Sequence, residues 1–203
     1  MKNYFDLTGQ VAIITGASTG LGVQMARALA NQGCNIVCMA RRKNLCDENA
    51  AKIAEEFGVK AIGVQCDITD TDRVNAAVDE VLEAFGRIIN IASMYGLVGN
   101  KVAGSAPYHA AKGGVVNLTR ALAAEWSSKG INVNAICPGY FYTPLTKETL
   151  DSDFFQANAK TMIPAERYGN EGELDTAAIF LASPCSSYVT GIMVPVDGGY
   201  TCM

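Results

Sequence analysis

A doubly wound α/β domain built on a parallel sheet is the fold class this sequence predicts, and three observations carry the expectation. Short apolar runs alternate with longer amphipathic stretches from end to end. A glycine-rich turn, T-G-A-S-T-G-L-G, follows the first apolar run directly. No repeat, low-complexity tract or linker interrupts the 203 residues, and a composition of 49% hydrophobic and 18% charged residues suits one buried core, so one domain spanning 1–203 is expected.

Taken in order, Val11–Thr15 (V-A-I-I-T) reads as a strand covered on both faces, because its apolar run is continuous rather than alternating. Leu21–Gln32 has helical spacing, Asn35–Ala40 is a second buried strand, Leu45–Phe57 a helix and Lys60–Gln65 a third strand. Asp70 and Thr71 open a further helix that runs to Phe85. Then comes an anomaly, A-F-G-R-I-I-N-I-A-S (84–93), in which that helix passes into the strand Ile88–Ala92 with only Gly86 and Arg87 between them. A helix over Tyr108–Ser128 and a strand at Ile131–Ile136 follow. Tyr140–Tyr168 reads as a long irregular segment, an inserted substrate lid. A helix at Glu171–Leu181 and a last strand at Ile192–Val196 complete the alternation that makes a parallel sheet with helices on both faces.

Composition excludes several classes of function. A net charge of −4 with no basic run argues against nucleic acid. Seven cysteines, odd in number and without C-x-x-C, sit mostly in apolar runs such as I-V-C-M-A, as reduced core thiols do. With His109 the single histidine, a multi-histidine metal site is not expected, and no metal is assigned. The N-terminal residues lack the apolar core of a secretory leader and no stretch approaches the ~18 apolar residues of a membrane span, so a cytoplasmic protein without membrane contact is expected.

The glycine turn places Gly16, Gly20 and Gly22 between a strand and a helix start, where a pyrophosphate lies against free N–H groups and the positive end of the helix dipole. Side chains there would block its approach. Its position after the first strand of the alternation favours the dinucleotide-binding arrangement of a Rossmann-type fold, against the plainer reading of a tight strand-to-helix connection. A carboxylate usually ends the second strand to hold a ribose 2′-hydroxyl, whereas a cation suits a 2′-phosphate. Here the strand ends in Ala40, Arg41, Arg42 and Lys43, which favours NADP(H) over NAD(H), against the plainer reading of a solvated cationic turn.

Tyr108 and Lys112, in Y-H-A-A-K, lie four apart and share a helix face. A phenol with an ordinary pKa near 10 exchanges protons poorly at neutral pH, but a neighbouring ammonium stabilises its phenolate. Two unit charges about 4 Å apart attract by on the order of 4 kcal/mol at an effective dielectric of 20. Ser93 ends the preceding strand, where an α/β sheet presents side chains to its ligand crevice, and its hydroxyl can donate to a carbonyl oxygen. His109, beside Tyr108, is assigned a structural or subunit-contact role, because adjacent helix positions point apart.

T-G-A-S-T-G-L-G, C-D at 66 and 67, I-N-I-A-S ending at 93, Y-H-A-A-K, N-A-I-C-P-G at 134–139 and V-D-G-G at 196–199 occur in the order found in the short-chain dehydrogenase/reductases, and the resemblance covers essentially the whole chain. What it implies is an oxidoreductase that moves a hydride between nicotinamide C4 and a carbonyl or secondary alcohol carbon. Tyr108 is then the general acid or base, Lys112 supports it and holds the nicotinamide ribose, and Ser93 orients the carbonyl. Gly16, Ser18, Gly20, Leu21 and Gly22 line the pyrophosphate, Arg41 meets the 2′-phosphate and Asp67 the adenine, while Pro138, Gly139 and Thr143 flank the nicotinamide.

One departure follows from the same resemblance. Members of this family carry a strand ending in N-N-A-G and a further helix with a relay asparagine, neither of which is present here. A strand with its crossover helix, roughly 30 or more residues, is absent near 85–90.

S-M-Y-G-L-V-G-N, A-A-K-G-G-V-V-N-L-T-R-A-L-A-A-E-W and S-S-Y-V-T-G are similar to the gluconate 5-dehydrogenase branch, which acts on keto sugar acids, with the 3-oxoacyl-[acyl-carrier-protein] reductase branch as the alternative. The lid offers aromatics (Tyr140, Phe141, Tyr142, Phe154, Phe155) and cations (Lys147, Lys160, Arg167) for that choice. A catalytically silent nucleotide-binding protein is the reading from another class, raised by the absent relay. Family resemblance also implies a homo-oligomer, tetramer or dimer.

Overall fold

The structure, a computed structural model, describes residues 3–67, 87–101 and 104–203. Within these, six strands and six helices alternate: β1 (Val11–Thr15), α1 (Leu21–Asn31), β2 (Asn35–Ala40), α2 (Lys43–Phe57), β3 (Ala61–Gln65), β4 (Arg87–Ile91), α3 (Ala106–Trp126), β5 (Asn132–Pro138), α4 (Lys147–Leu150), α5 (Asp153–Met162), α6 (Asp175–Ala182) and β6 (Met193–Val196). The helix expected over Asp70–Phe85 lies outside the described residues. Every strand pair is parallel. No described helix is long and apolar enough to cross a membrane.

The sheet, expected as one, comes in two halves, ordered β1-β2-β3 and β4-β5-β6. β1 and β4 lie side by side without a ladder between them. A narrow cavity of about 40 Å³ runs along this seam, lined by Ile13 and Ile89 from the two strands and by Met25 and Ala178 from the covering helices. Strand edges expose N–H and C=O groups that want partners, and no strand among the described residues bridges these two. β4 opens at Arg87, paired with Asn132.

Both faces of β5 are covered, and its alternation shows how. Val133, Ala135 and Cys137 pack toward α3, against Ala123 and Val116. Ile136, on the other face, joins the main core, which includes Leu7, Ile36, Ile53, Leu174 and Leu181. Full burial of each such aliphatic side chain contributes about 1.5–3 kcal/mol. The main core draws residues from both half-sheets, Ile14 and Ile36 from one, Ile89, Ile91 and Ile136 from the other, so packing joins what hydrogen bonds do not. Asn90 points its amide at Thr119 Oγ1 (2.9 Å) on α3, which in turn donates to the Val115 carbonyl (2.8 Å). That buried polar pair is therefore satisfied.

Two expectations are corrected. The segment Tyr140–Tyr168 is not irregular throughout, since it contains α4 and α5. Ser152 caps α5 by accepting from the Phe155 N–H, and Leu150, Phe155, Ala159 and Ile163 form a buried cluster of their own beneath Tyr140 and Tyr168. The helix Glu171–Leu181 begins instead at Asp175, because Gly172 takes φ +87° and makes a turn closed by Asp175 N–H to the Gly172 carbonyl.

Candidate active site

At the C-terminal end of β1, Gly16 (φ +77°) and Gly20 (φ +64°) adopt left-handed backbone that disfavours any side chain. A Cβ on Gly22 would stand 2.6 Å from the Gly16 carbonyl oxygen, so the turn closes only on glycine. No side chain caps α1 and its first turn carries no acid, which leaves the helix N-terminus suited to an anion. From below, Asn49 on α2 holds the turn by donating to the carbonyls of Ala17 (3.0 Å) and Ser18 (3.1 Å). The cation that reaches this turn is Arg42, whose Nη2 donates to Ser18 Oγ (3.1 Å) and Thr19 Oγ1 (3.3 Å). Arg41 uses its carbonyl to accept from Gln65 and keeps its side chain exposed. Asp67 follows β3 next to buried Cys66, whose N–H donates to the Ala40 carbonyl at the end of β2. A phosphate-bearing dinucleotide fits these features: glycine clearance, an uncapped helix start and a held guanidinium.

The loop after β5 comes back to the same turn. A Cβ on Gly20 would lie 3.9 Å from Thr143 Cβ, and Thr143 itself is buried, its hydroxyl 2.9 Å from that of Thr146. Gly139 packs so closely on the C-terminal turn that a Cβ would meet Asp197 Cα at 2.6 Å. Asp197 accepts from the N–H groups of Gly199 and Thr201, which explains the V-D-G-G motif as a buttress for the loop that starts at Pro138.

Ser93 follows β4 in extended backbone (φ −169°), buried, its Oγ accepting from the Tyr95 N–H. The short turn Met94–Gly96 lies flat on α3, since a Cβ on Gly96 would stand 2.7 Å from the Lys112 carbonyl oxygen. Lys112 Nζ donates to the Ile91 carbonyl (3.0 Å) at the end of β4 and sits 5.8 Å from the Tyr108 ring centroid. Burial pulls the Lys112 ammonium below its ordinary value. Tyr108 is half exposed, open to an incoming substrate.

Aromatic residues surround this constellation, and sequence reasoning assigned no role to the most central of them, Tyr95. Its ring meets Tyr108, Tyr140 and Tyr200 edge-on, with centroids 6.5, 6.2 and 6.0 Å away. Its hydroxyl bonds that of Tyr140. His109 lies against Tyr95 (centroids 4.7 Å) with Nδ1 2.8 Å from the Ser105 carbonyl, while its Nε2 is buried without a partner. All seven cysteines are free; five are buried, and burial pushes Cys34 up to about 12 and Cys38 and Cys137 to about 11.

Two family models match the chain, described as short chain dehydrogenase over residues 10–88 and as Enoyl-(Acyl carrier protein) reductase over residues 82–201. The chain belongs to the short-chain dehydrogenase/reductase family. Galactitol 2-dehydrogenase (L-tagatose-forming) of Cereibacter sphaeroides is 33% identical, the match covering 98% of this chain and 98% of that one. Gluconate 5-dehydrogenase of Gluconobacter oxydans is 32% identical over 97% of this chain and 96% of its own. The crystal structure of a gluconate 5-dehydrogenase from Burkholderia cenocepacia in complex with NADP and tartrate superposes with a TM-score of 0.87 at 31% identity, covering 98% of each chain. The galactitol 2-dehydrogenase alignment runs over 253 positions against 203 residues here, so at least 50 positions of that relative stand opposite nothing. The two family models overlap at 82–88, the stretch where helix pattern runs into β4.

Proposed function

We propose that the chain is an NADP(H)-dependent oxidoreductase acting on the carbonyl of a keto sugar acid, with Tyr108 as acid or base, Lys112 as its supporting cation and Ser93 as the carbonyl donor. One observation carries the reading. The Ser93 turn packs on α3 at Lys112, whose ammonium lies beside Tyr108, and the loop after β5 joins that end of the sheet to the glycine turn. When bound, the nicotinamide supplies or takes the hydride. The Ser93 hydroxyl donates to the carbonyl oxygen and fixes its direction, and Tyr108 passes its phenolic proton to that oxygen as negative charge builds there. Lys112, held on the Ile91 carbonyl, stabilises the charge then left on the phenol oxygen. Gly16, Ser18, Gly20, Leu21 and Gly22 would hold the pyrophosphate, Pro138, Gly139 and Thr143 the nicotinamide end, and Asp67 the adenine.

For the 2′-phosphate the proposal moves from Arg41 to Arg42, since Arg42 is the guanidinium already aimed at Ser18 and Thr19. Arg42→Ala is expected to weaken NADPH binding about 10–100-fold, the worth of a hydrogen bond to a charged group, and NADH binding less than about twofold. Fluorescence titration of both cofactors reads it; equal losses for the two would remove Arg42 from that role.

The substrate reading is supported by the names of the relatives, galactitol 2-dehydrogenase and gluconate 5-dehydrogenase, and by the exposed lid cations Lys147 and Lys160; Arg167 is already clasped by Glu173 with two contacts of 2.7 Å. Its test is turnover of 5-keto-D-gluconate against an acetoacetyl thioester, each with NADPH and NADH. Preference for the thioester would move the assignment to 3-oxoacyl-[acyl-carrier-protein] reduction. The divided sheet favours one second reading, a nucleotide-binding protein without turnover. A homo-oligomer, dimer or tetramer, is part of the proposal, because α3 beside the site leaves Leu118 half exposed; sedimentation of the purified chain checks the state.

A further inference from the structure

We infer that Tyr95, Tyr140 and Tyr200 form a phenolic subsite that reads the hydroxyl groups of a polyhydroxylated substrate. The inference deepens the proposed function and rests on Tyr108 being the reacting acid. Three separate segments bring these rings together: Tyr95 from the turn after Ser93, Tyr140 from the loop after Gly139 and Tyr200 from the C-terminal turn. Their rings pack edge to face, with Tyr140 and Tyr200 centroids 5.9 Å apart. The hydroxyl of Tyr95 bonds that of Tyr140, and Tyr200 lies edge-on beside the same ring.

Valence counting says what this cluster can do. A phenol brings one donor and two acceptor lone pairs. Hydroxyls that bond each other use their donors first, so acceptor capacity is left over, and the partly exposed rings carry it at the edge of the Tyr108 site. Burial pushes all three phenols up, Tyr200 to about 12, so they remain neutral and able both to donate and to accept. His109 holds the other face of the Tyr95 ring and is anchored on the Ser105 carbonyl, which fixes the ring in place. The hydroxyls of a sugar would complete the spare lone pairs while its C–H faces lie on the rings. An acyl chain would cover the same oxygens and leave them unpaired, which a hydrogen-bonding site penalises strongly.

The test compares kcat/KM for L-sorbose, a neutral ketohexose, with kcat/KM for cyclohexanone, an apolar ketone, using NADPH, in the wild-type chain and in Tyr95→Phe, Tyr140→Phe and Tyr200→Phe. The expected result is a sorbose-to-cyclohexanone ratio lowered about tenfold in Tyr95→Phe and in the same direction in the other two, with NADPH affinity at the wild-type value. A ratio within about twofold of wild type in all three variants overturns the inference, since a purely structural role would move both substrates together. Should the wild type turn over neither ketone, the catalytic reading is decided separately by turnover of 5-keto-D-gluconate, and calorimetric titration of L-sorbose into the protein–NADPH complex decides the subsite. Binding weakened about tenfold by Tyr95→Phe supports it, and binding that is absent or unaltered overturns it.

Discussion

Tyr108→Phe is expected to lower kcat for carbonyl reduction by about 10²–10⁴-fold, the range a positioned general acid supplies, while Tm and NADPH affinity stay at wild-type values. The separation follows from where the oxygen sits. Tyr108 is half exposed on the first turn of α3, so removing its hydroxyl leaves no buried group unpaired. Its ring keeps the edge contact with Tyr95 and stays under the Lys112 ammonium, so packing and charge placement survive the change. Only the transferable proton is lost. Turnover within a few-fold of wild type would end the acid assignment and, with cofactor binding intact, would favour the silent nucleotide-binding reading. Pre-steady-state reduction with saturating NADPH makes the comparison independent of product release.

How far the site can be read without coordinates depends on how strictly physics limits each position. The glycine turn is legible because a left-handed backbone at Gly16 and Gly20, and an oxygen 2.6 Å from any Cβ on Gly22, tolerate one residue type. Strand limits are legible for a similar reason: β2 needs a continuous apolar run to be covered on both faces, and its observed ends match the expectation, Asn35 and Ala40. Arg41 and Arg42 are not separable by composition. Which of them turns back to Ser18 depends on how the chain leaves β2, with Arg42 at the position before α2. The lid helix α5 was hidden by its length; its cap at Ser152 and the four-residue spacing of Phe155, Ala159 and Ile163 are the signals that mark it. Tyr95 could not be found at all from spacing, because its partners Tyr140 and Tyr200 are brought near only by the fold.

Inserting a strand and crossover helix between Gly86 and Arg87, taken from the Gluconobacter oxydans gluconate 5-dehydrogenase residues that stand opposite nothing in this chain, is expected to raise Tm by about 10 °C and tighten NADPH binding at least about tenfold. The seam between β1 and β4 is the reason. Each strand pairs on one side only within the described sheet, and the Arg87 Nε on the seam is buried without a partner. A central strand would offer ladder bonds to both edges, each contributing about 0.5–1.5 kcal/mol net, and would bury apolar surface on both faces. Ordering the added backbone opposes this, and one kcal/mol of net gain shifts Tm by about 2–4 °C at this size, so a rise of about 10 °C corresponds to roughly 3–5 kcal/mol. An insert of equal length in Gly and Ser isolates the cause, because it lengthens the connection at little entropic cost but supplies no strand. If the strand insert and the Gly-Ser insert give the same Tm and the same NADPH affinity, the two half-sheets are complete as they stand, and hydrophobic packing through Ile14, Ile89 and Ile136 suffices to hold the cofactor end against the chemical end.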